Sequence, residues 1–185
     1  MDGPPAPNIS VIRAGRPTAK LVKPAWLLLM AGMLSYPCCK TKHMNSGGAL
    51  SDIRKEQRYQ DTVFDRVKGT ENVVYGTAVT QDGDSVNLKM DIYQPAGDTH
   101  PARPLVILAH GGGFKVGDKS EMSELAIFMA RSGYVAASVS YRLLDTEDPS
   151  SSLMMQAAMD AVYDMKAAVR FFRRDARHDN RYRID

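Results

Sequence analysis

Cysteine is nearly absent from this 185-residue chain, in which Cys38 and Cys39 are the only two. Adjacent cysteines rarely bridge each other, and no further cysteine is present to pair with either of them, so no disulfide framework can form. Two neighbouring thiols also cannot supply the ligand set of a structural zinc site. We therefore expect no metal ion in this protein and no other cofactor.

An excess of charge of one sign is also lacking, because the net charge is only +3. We therefore expect no nucleic-acid partner. The densest basic stretch falls between Arg170 and Arg183, at the end of a predicted helix, where cations complement the carbonyl end of the helix dipole. We interpret these arginines as a solvated helix end rather than as a phosphate-binding surface.

No apolar run is long enough to span a membrane comfortably, and the most apolar stretch is Ala25–Leu34. Basic residues precede this stretch, which is the order of a secretory signal peptide: Arg13, Arg16, Lys20 and Lys23. No Ala-x-Ala cleavage site follows, and Pro37 argues against lipid attachment at Cys38, which stays the minor alternative. We expect an exported protein with no membrane partner beyond such an anchor. If the apolar stretch is only a patch in an unstructured extension, we expect a cytoplasmic protein instead.

The composition divides the chain into three parts. Residues 1–39 are predicted to be the signal peptide or a disordered extension. Residues 40–70 form a polar linker, and residues 71–185 form a folded domain.

An antiparallel hairpin is predicted at the start of the domain. Residues 73–79 are rich in β-branched side chains, and residues 86–92 alternate between apolar and polar side chains. The sequence Asp82-Gly83 between them favours a tight turn.

Two strands and two helices are predicted after the hairpin. Leu105–Ala109 is a short continuous apolar run, which is typical of a strand buried on both faces, and residues 134–141 form another strand. Between them, Asp118 and Glu121 have the spacing of a capping box at the start of a helix. A long amphipathic helix then runs out near Arg177. Since parallel strands need crossover helices, we predict an α/β fold whose sheet changes from antiparallel to parallel.

Three consecutive glycines, Gly111, Gly112 and Gly113, leave the buried strand between His110 and Phe114. Glycine lets the backbone approach a ligand closely and adopt positive φ at low cost, so successive N–H groups can point at one oxygen atom. An acyl-transfer transition state carries negative charge on such an oxygen, and preorganised donors stabilise it. The sequence therefore predicts an oxyanion hole at Gly111–Gly113, with Gly112 and Gly113 as the donors.

Two nucleotide-binding motifs use similar glycines. The segment from Gly112 to Ser120 nearly matches the phosphate-binding P-loop, but Asp118 is inserted before Lys119 and would put a carboxylate beside the phosphates. The glycine spacing is also one residue too long for the dinucleotide fingerprint, and a preceding hairpin is wrong for both motifs. A glycine-rich turn without any ligand is the other alternative.

Several segments around the glycines carry a resemblance to a known family. They are Leu88-Lys-Met-Asp-Ile-Tyr-Gln-Pro95, Tyr141-Arg-Leu143, and Asp164 with Ala168-Val-Arg170. Together with the His-Gly-Gly-Gly motif, they resemble the α/β-hydrolase family over residues 71–185, especially its hormone-sensitive-lipase-like and carboxylesterase branches. The resemblance implies the N-terminal half of an α/β-hydrolase sheet, and hence an incomplete one.

The resemblance also implies that no catalytic triad residue lies in this sequence. No Gly-x-Ser-x-Gly motif occurs, so the serine, acid and histidine are expected beyond residue 185, with Tyr182–Asp185 leading into the strand that carries the serine. Because the histidine follows the serine in this family, His110 is not expected to be the base, and it shapes the loop with Phe114 instead.

The full-length form is expected to hydrolyse small-molecule carboxylic esters through a serine acyl-enzyme. Because the 185 residues lack the triad, we expect no serine-esterase activity from them alone. The alternative is a non-catalytic pseudo-hydrolase remnant or interaction module.

Overall fold

The computed structural model describes residues 8–13, 57–146 and 150–185. The predicted signal segment Ala25–Leu34 and both cysteines lie outside these residues, so export stays a prediction. Within the described ranges, no helix has the length and apolarity that crossing a membrane requires.

Five strands and two α-helices make up the described part of the chain. The strands are β1 (Asn8–Arg13), β2 (Arg66–Val79), β3 (Ser85–Pro95), β4 (Leu105–Ala109) and β5 (Val135–Val139). The helices are α1 (Ser123–Arg131) and α2 (Ser151–Arg177), and a 3-10 helix at Lys119–Met122 leads into α1.

The strands form one mixed sheet in the order β1-β2-β3-β5-β4. The pairs β1–β2, β2–β3 and β3–β5 are antiparallel. The pair β5–β4 is parallel, with Leu105 opposite Val135 and Ala109 opposite Val139. The helix α1 is the crossover between β4 and β5. The predicted change from antiparallel to parallel pairing is therefore confirmed.

Each face of the sheet is covered by one helix. Alternate residues of a strand point to opposite faces, so Ile92 joins a core with Phe172 of α2, while Tyr93 joins a second core with Ala126 of α1. All four of these side chains are buried. The parallel strands β4 and β5 are thereby held between two apolar layers, which fixes the loop that follows β4.

Regular structure begins earlier in the chain than the sequence predicted. β2 starts at Arg66 rather than near residue 71, because buried Val67 lies between the exposed charged residues Arg66 and Lys68, which hide the apolar pattern. Asn8–Arg13 was expected to belong to a signal peptide or a disordered extension, yet these residues form β1 and pair with β2. The pairing partner is distant in the chain, so local sequence gives little indication of this strand.

The capping box is confirmed, but it begins a different kind of helix. The Asp118 carboxylate accepts a hydrogen bond from the Ser120 amide at 2.8 Å, and Glu121 accepts one from the Asp118 amide at 3.2 Å. The helix that they cap is the short 3-10 segment, and α1 starts only at Ser123. The long helix α2 ends at Arg177, as predicted.

Candidate active site

The glycine loop, residues 110–117, follows β4 at the carboxyl end of the parallel strands. The backbone φ angle is +106° at Gly112, +61° at Gly113 and +63° at Phe114. A Cβ atom on Gly112 would lie 1.9 Å from the carbonyl oxygen of Val116, so no other residue fits at that position. A Cβ atom on Gly111 or Gly113 would meet nothing within 4 Å. The requirement for glycine is therefore strongest at Gly112.

The hydrogen bonds that close the turn use the carbonyl group of Gly112 rather than the glycine amides. The carbonyl oxygen of Gly112 accepts hydrogen bonds from the amides of Lys115 at 3.1 Å and Val116 at 3.2 Å, which closes the turn. Within the described residues, the amides of Gly112 and Gly113 donate to no protein acceptor. Both glycines are exposed, and neither of their adjacent N–H groups has an acceptor among the described residues.

His110 lies beneath the loop and is only 4% exposed. Its Nδ1 atom is 2.7 Å from the carbonyl oxygen of Gly111, which is the geometry of an N–H donated to that oxygen. A Cβ atom on Gly117 would come within 2.2 Å of the same Nδ1, so the loop closes directly over the ring. The Nε2 atom is buried without a partner among the described residues. The ring is thus packed against the loop rather than presented to the solvent.

Tyr141 supports the loop from the end of β5. Its ring stacks on that of His110 with centroids 4.4 Å apart and an angle of 8°, and its hydroxyl donates to the His110 carbonyl oxygen at 2.9 Å. Burial raises the pKa of Tyr141, so the hydroxyl keeps its proton for this bond. The ring of Phe114 meets Tyr141 edge to face at 6.2 Å, and the Phe114 carbonyl accepts from the Leu144 amide at 2.8 Å.

The far end of the loop is attached to the sheet by polar contacts. The Lys119 ammonium group binds the carboxylate of Asp91 on β3 at 2.9 Å. The hydroxyl of Ser140 accepts from the Lys119 amide and donates to the Asp118 carboxylate, both at 3.1 Å. The hydrogen bond from the Ser120 amide lowers the pKa of Asp118, which is therefore a carboxylate at neutral pH.

These contacts count against the P-loop alternative. A P-loop uses amides at a helix start and a lysine to hold phosphates. Here the Asp118 carboxylate occupies the start of the 3-10 helix, and Lys119 is paired with Asp91. Both groups are thus engaged by other protein groups, so nucleotide binding has no support at this loop.

Arg142, the residue after Tyr141, ties β5 to α2. Its guanidinium group makes three hydrogen bonds to the Asp164 carboxylate at 2.8, 2.9 and 3.2 Å, and its amide donates to the same carboxylate at 2.9 Å. The side chain also donates to the Val79 carbonyl at 2.8 Å. The hydrogen bond with Asp164 raises the pKa of Arg142. The pair keeps the end of β5, and with it Tyr141, at a fixed distance from α2.

An apolar groove of about 470 Å³ opens beside the glycine loop. It runs between the free edge of β4 and one face of α2, and its lining includes Ala109, His110, Phe114 and Tyr141. Within the described ranges, β4 pairs only with β5, and near its start a parallel bridge joins Arg103 to Ile184. The C-terminal residues therefore begin to run parallel to β4 on its free side.

Among the described residues, no serine hydroxyl is hydrogen-bonded to a histidine ring. Ser132, in the sequence Ser132-Gly133, is 2% exposed, and its hydroxyl donates to the Phe128 carbonyl at the end of α1. The ring of His100 contacts the Ala102 carbonyl, and His178 lies at the C-terminal cap of α2. No cluster of three or more potential metal ligands occurs in the part of the chain that the structure describes.

The structure brings together His110, the three glycines and Phe114, which the sequence singled out. It adds Tyr141, Asp91 and Lys119, whose place in the site the sequence does not indicate. In the sequence, Tyr141 belongs to one of the segments that resemble the α/β-hydrolase family. Nothing in the linear sequence indicates that its ring stacks on that of His110. Such contacts between different strands become visible only once the register of the sheet is known.

Comparison with known proteins identifies the class to which this fold belongs. The sequence profile of the BD-FAE family matches residues 90–185, which is just over half of the chain. The chain belongs to this family, an esterase-like α/β-hydrolase domain, and the α/β-hydrolase resemblance is thereby confirmed. The matched region includes β4, the glycine loop, β5 and α2.

Solved structures of bacterial esterases are similar to the chain. Esterase B from Lactobacillus rhamnosis, inhibited by a tributyrin phosphonate, is 22% identical, with 69% of this chain and 37% of that chain covered and a TM-score of 0.44. Apo esterase 2 of Thermogutta terrifontis is 30% identical, with 57% of this chain and 35% of that chain covered and a TM-score of 0.45. The chain thus spans little more than one third of the length of either protein. A search of curated proteins gave no match.

Proposed function

We propose that this chain carries the oxyanion-binding part of a serine-dependent carboxylic ester hydrolase. The observation that supports this most strongly is the pair of exposed, unpaired amides at Gly112 and Gly113, held in left-handed backbone conformations at the end of a parallel strand. Membership of an esterase-like α/β-hydrolase family makes acyl transfer the reaction for which such donors are suited.

The chemistry assigned to the loop is stabilisation of negative charge. Attack on an ester carbonyl converts the carbonyl oxygen to an oxyanion, and two preorganised N–H donors bind it more strongly than they bind the neutral ester. The loss of one such donor typically costs about 3 to 4 kcal/mol of transition-state stabilisation. Gly112 permits the turn, and the stacked rings of His110 and Tyr141 hold the loop from beneath.

The groove beside β4 indicates where the nucleophile would come from. In a chain that continues past Asp185, a strand starting at Ile184 opposite Arg103 would draw level with Ala109 about six residues later, because parallel partners advance together. A serine just after that strand would face the amides of Gly112 and Gly113. The serine, acid and histidine of the proposed enzyme are accordingly assigned to residues outside these 185.

The genomic DNA beyond codon 185 tests this proposal. We expect it to encode, in frame or after one frameshift, an apolar strand of about six residues followed by Gly-x-Ser-x-Gly. A clean stop with no remnant of that motif would contradict the proposal and favour a non-catalytic interaction module. The 185-residue chain itself should show no nitrophenyl ester hydrolysis that a fluorophosphonate blocks.

A further inference from the structure

A second concave site lies at the end of the sheet opposite the glycine loop. Arg103 precedes β4, whereas the glycine loop follows it, so the two sites are separated by the length of that strand. The second site is a groove of about 320 Å³. Its lining includes the side chains of Ile9, Val11, Lys68, Gln94, Arg103 and Arg183.

The register of the sheet explains why these side chains meet. Val11 of β1 lies opposite Lys68 of β2, and Lys68 lies opposite Gln94 of β3. Arg103 continues this row, since its guanidinium group donates to the Gln94 side chain at 2.9 Å and its amide donates to the Arg183 carbonyl at 2.8 Å. Five chain segments thus contribute to one continuous row across the sheet.

Cationic side chains outnumber carboxylates among the residues that line this groove and those that contact its lining. Asp98 is shared by two guanidinium groups, with Arg58 at 2.6 Å and Arg103 at 3.8 Å. Among the described residues, Lys68 and Arg183 form no ion pair with any carboxylate. The groove therefore combines one shared carboxylate with several cations.

Arg103 is the most buried of these cations. It is 4% exposed, and its Nε atom has no partner within the described part of the chain. Burial lowers the pKa of Arg103, and the nearby charges of Arg183 and Arg58 lower it further, although Asp98 acts in the opposite direction. A buried cation that is not fully balanced destabilises the fold, and an anion bound beside it would offset that cost.

We propose that this groove is a binding site for an oxyanion of the phosphate or carboxylate class. Guanidinium groups match the paired oxygens of such anions, and the exposed Lys68 and Arg183 provide the charge at the groove surface. Ile9 and Val11, 60% and 61% exposed, border the same groove, so an oxyanion attached to an apolar chain would fit both parts. The sequence led us to interpret Arg183 as one of the solvated arginines at a helix end. The proposal gives it a ligand-binding role instead.

Equilibrium dialysis of the whole chain against radiolabelled inorganic phosphate, at constant ionic strength, tests the proposal. We expect one saturable site in the wild type and binding weakened about tenfold in Lys68→Gln and in Arg183→Gln, because each substitution removes a charge-assisted contact. Lys89→Gln is the matched control, since Lys89 is an exposed lysine on β3 outside the groove. Non-saturable uptake, or the same loss in Lys89→Gln, would overturn the proposal.

Competition and sedimentation then identify the source of the oxyanion. Displacement of phosphate by octanoate at lower concentration than by acetate would indicate a free acid with an apolar chain. Sedimentation with phosphatidylglycerol vesicles but not with phosphatidylcholine vesicles, lost in Arg183→Gln, would indicate a lipid headgroup. Phosphate binding with neither effect would identify a small free oxyanion. Circular dichroism of each variant confirms that the substitution leaves the fold intact.

Discussion

At the scale of single residues, the three consecutive glycines are not equivalent. Gly112 has positive φ and no room for a Cβ atom, whereas Gly113 has positive φ and open space around it. Gly111 has neither constraint. The shape of the loop therefore depends most on Gly112. Gly111, the preceding residue, is a suitable position for a control substitution.

Substitution of Gly112 is expected to distort the loop, and substitution of Gly111 is not. Gly112→Ala should lower the free energy of unfolding by about 3 kcal/mol, because it combines a strained φ with a clash against the Val116 carbonyl. Gly111→Ala should change it by less than about 0.5 kcal/mol. Urea unfolding at low protein concentration measures both. Equal effects of the two substitutions would contradict the geometry described for the loop.

At the scale of secondary-structure elements, the link between β5 and α2 positions the support of the loop. Arg142 follows Tyr141, and its guanidinium group reaches Asp164 in the middle of α2. The Asp164 carboxylate is almost fully buried, so it cannot exchange this partner for water. Loss of the pair would release both the helix and the end of the strand that carries Tyr141.

Asp164→Asn is expected to lower the free energy of unfolding by about 2 kcal/mol, because the Arg142 charge loses its buried partner. Asp160→Asn is the matched control, since Asp160 lies one turn earlier on α2, is more exposed and is 3.6 Å from Arg142. Its effect should stay below about 1 kcal/mol. Thermal unfolding compares the two, and a larger effect at Asp160 would count against the assigned role.

The ion pairs of Asp98 with Arg58 and Arg103 should make the free energy of unfolding depend on pH. Burial alone would raise the pKa of Asp98, which follows β3, but the hydrogen bond from Arg58 and the charges of Arg58 and Arg103 lower it below its usual range. A carboxyl group with a lowered pKa in the folded state stabilises the protein above its unfolded pKa. That contribution is lost as the pH falls through the folded value.

The wild type should therefore lose stability between about pH 5 and pH 3 more steeply than Asp98→Asn, because asparagine binds no proton. Chemical unfolding at a series of pH values measures the two slopes. Asp61→Asn serves as a control, since Asp61 is an exposed aspartate with no ion pair among the described residues. Parallel curves for the wild type and Asp98→Asn would contradict the prediction.

The elements that could be predicted from the sequence are those with a strong local pattern. The continuous apolar run of β4 and the capping box at Asp118 are such patterns, and both are found where expected. β1 was missed because its pairing with β2 joins segments far apart in the chain. In the candidate site, the glycines were accessible to local reasoning. The stacking of Tyr141 on His110 was not, because it depends on how β4 and β5 pair.

At the scale of the whole molecule, the edge of β4 that no other described strand covers and the adjoining face of α2 expose apolar surface. Val162 on α2 is 46% exposed and lines the groove beside this edge. Unpaired strand edges with apolar neighbours promote association between chains. The 185-residue chain is therefore expected to self-associate as its concentration rises.

Sedimentation velocity at increasing concentration measures this association. Val162→Lys should suppress it, because a charge at the groove opposes burial against another chain. Val74→Lys should not, since Val74 is similarly exposed, at 43%, but lies on β2 outside the groove. A chain that stays monomeric at all concentrations, or equal effects of the two substitutions, would contradict the assignment of this edge as the surface through which chains associate.

The central claim is that the amides of Gly112 and Gly113 bind an oxyanion during ester hydrolysis. A crystal structure of the chain extended through its serine-bearing strand and the remaining catalytic residues, after reaction with a phosphonate, tests it most directly. We expect one phosphonyl oxygen to lie about 2.7 to 3.1 Å from both amide nitrogens. A phosphonyl oxygen held by other donors, with these two amides facing solvent, would contradict the account.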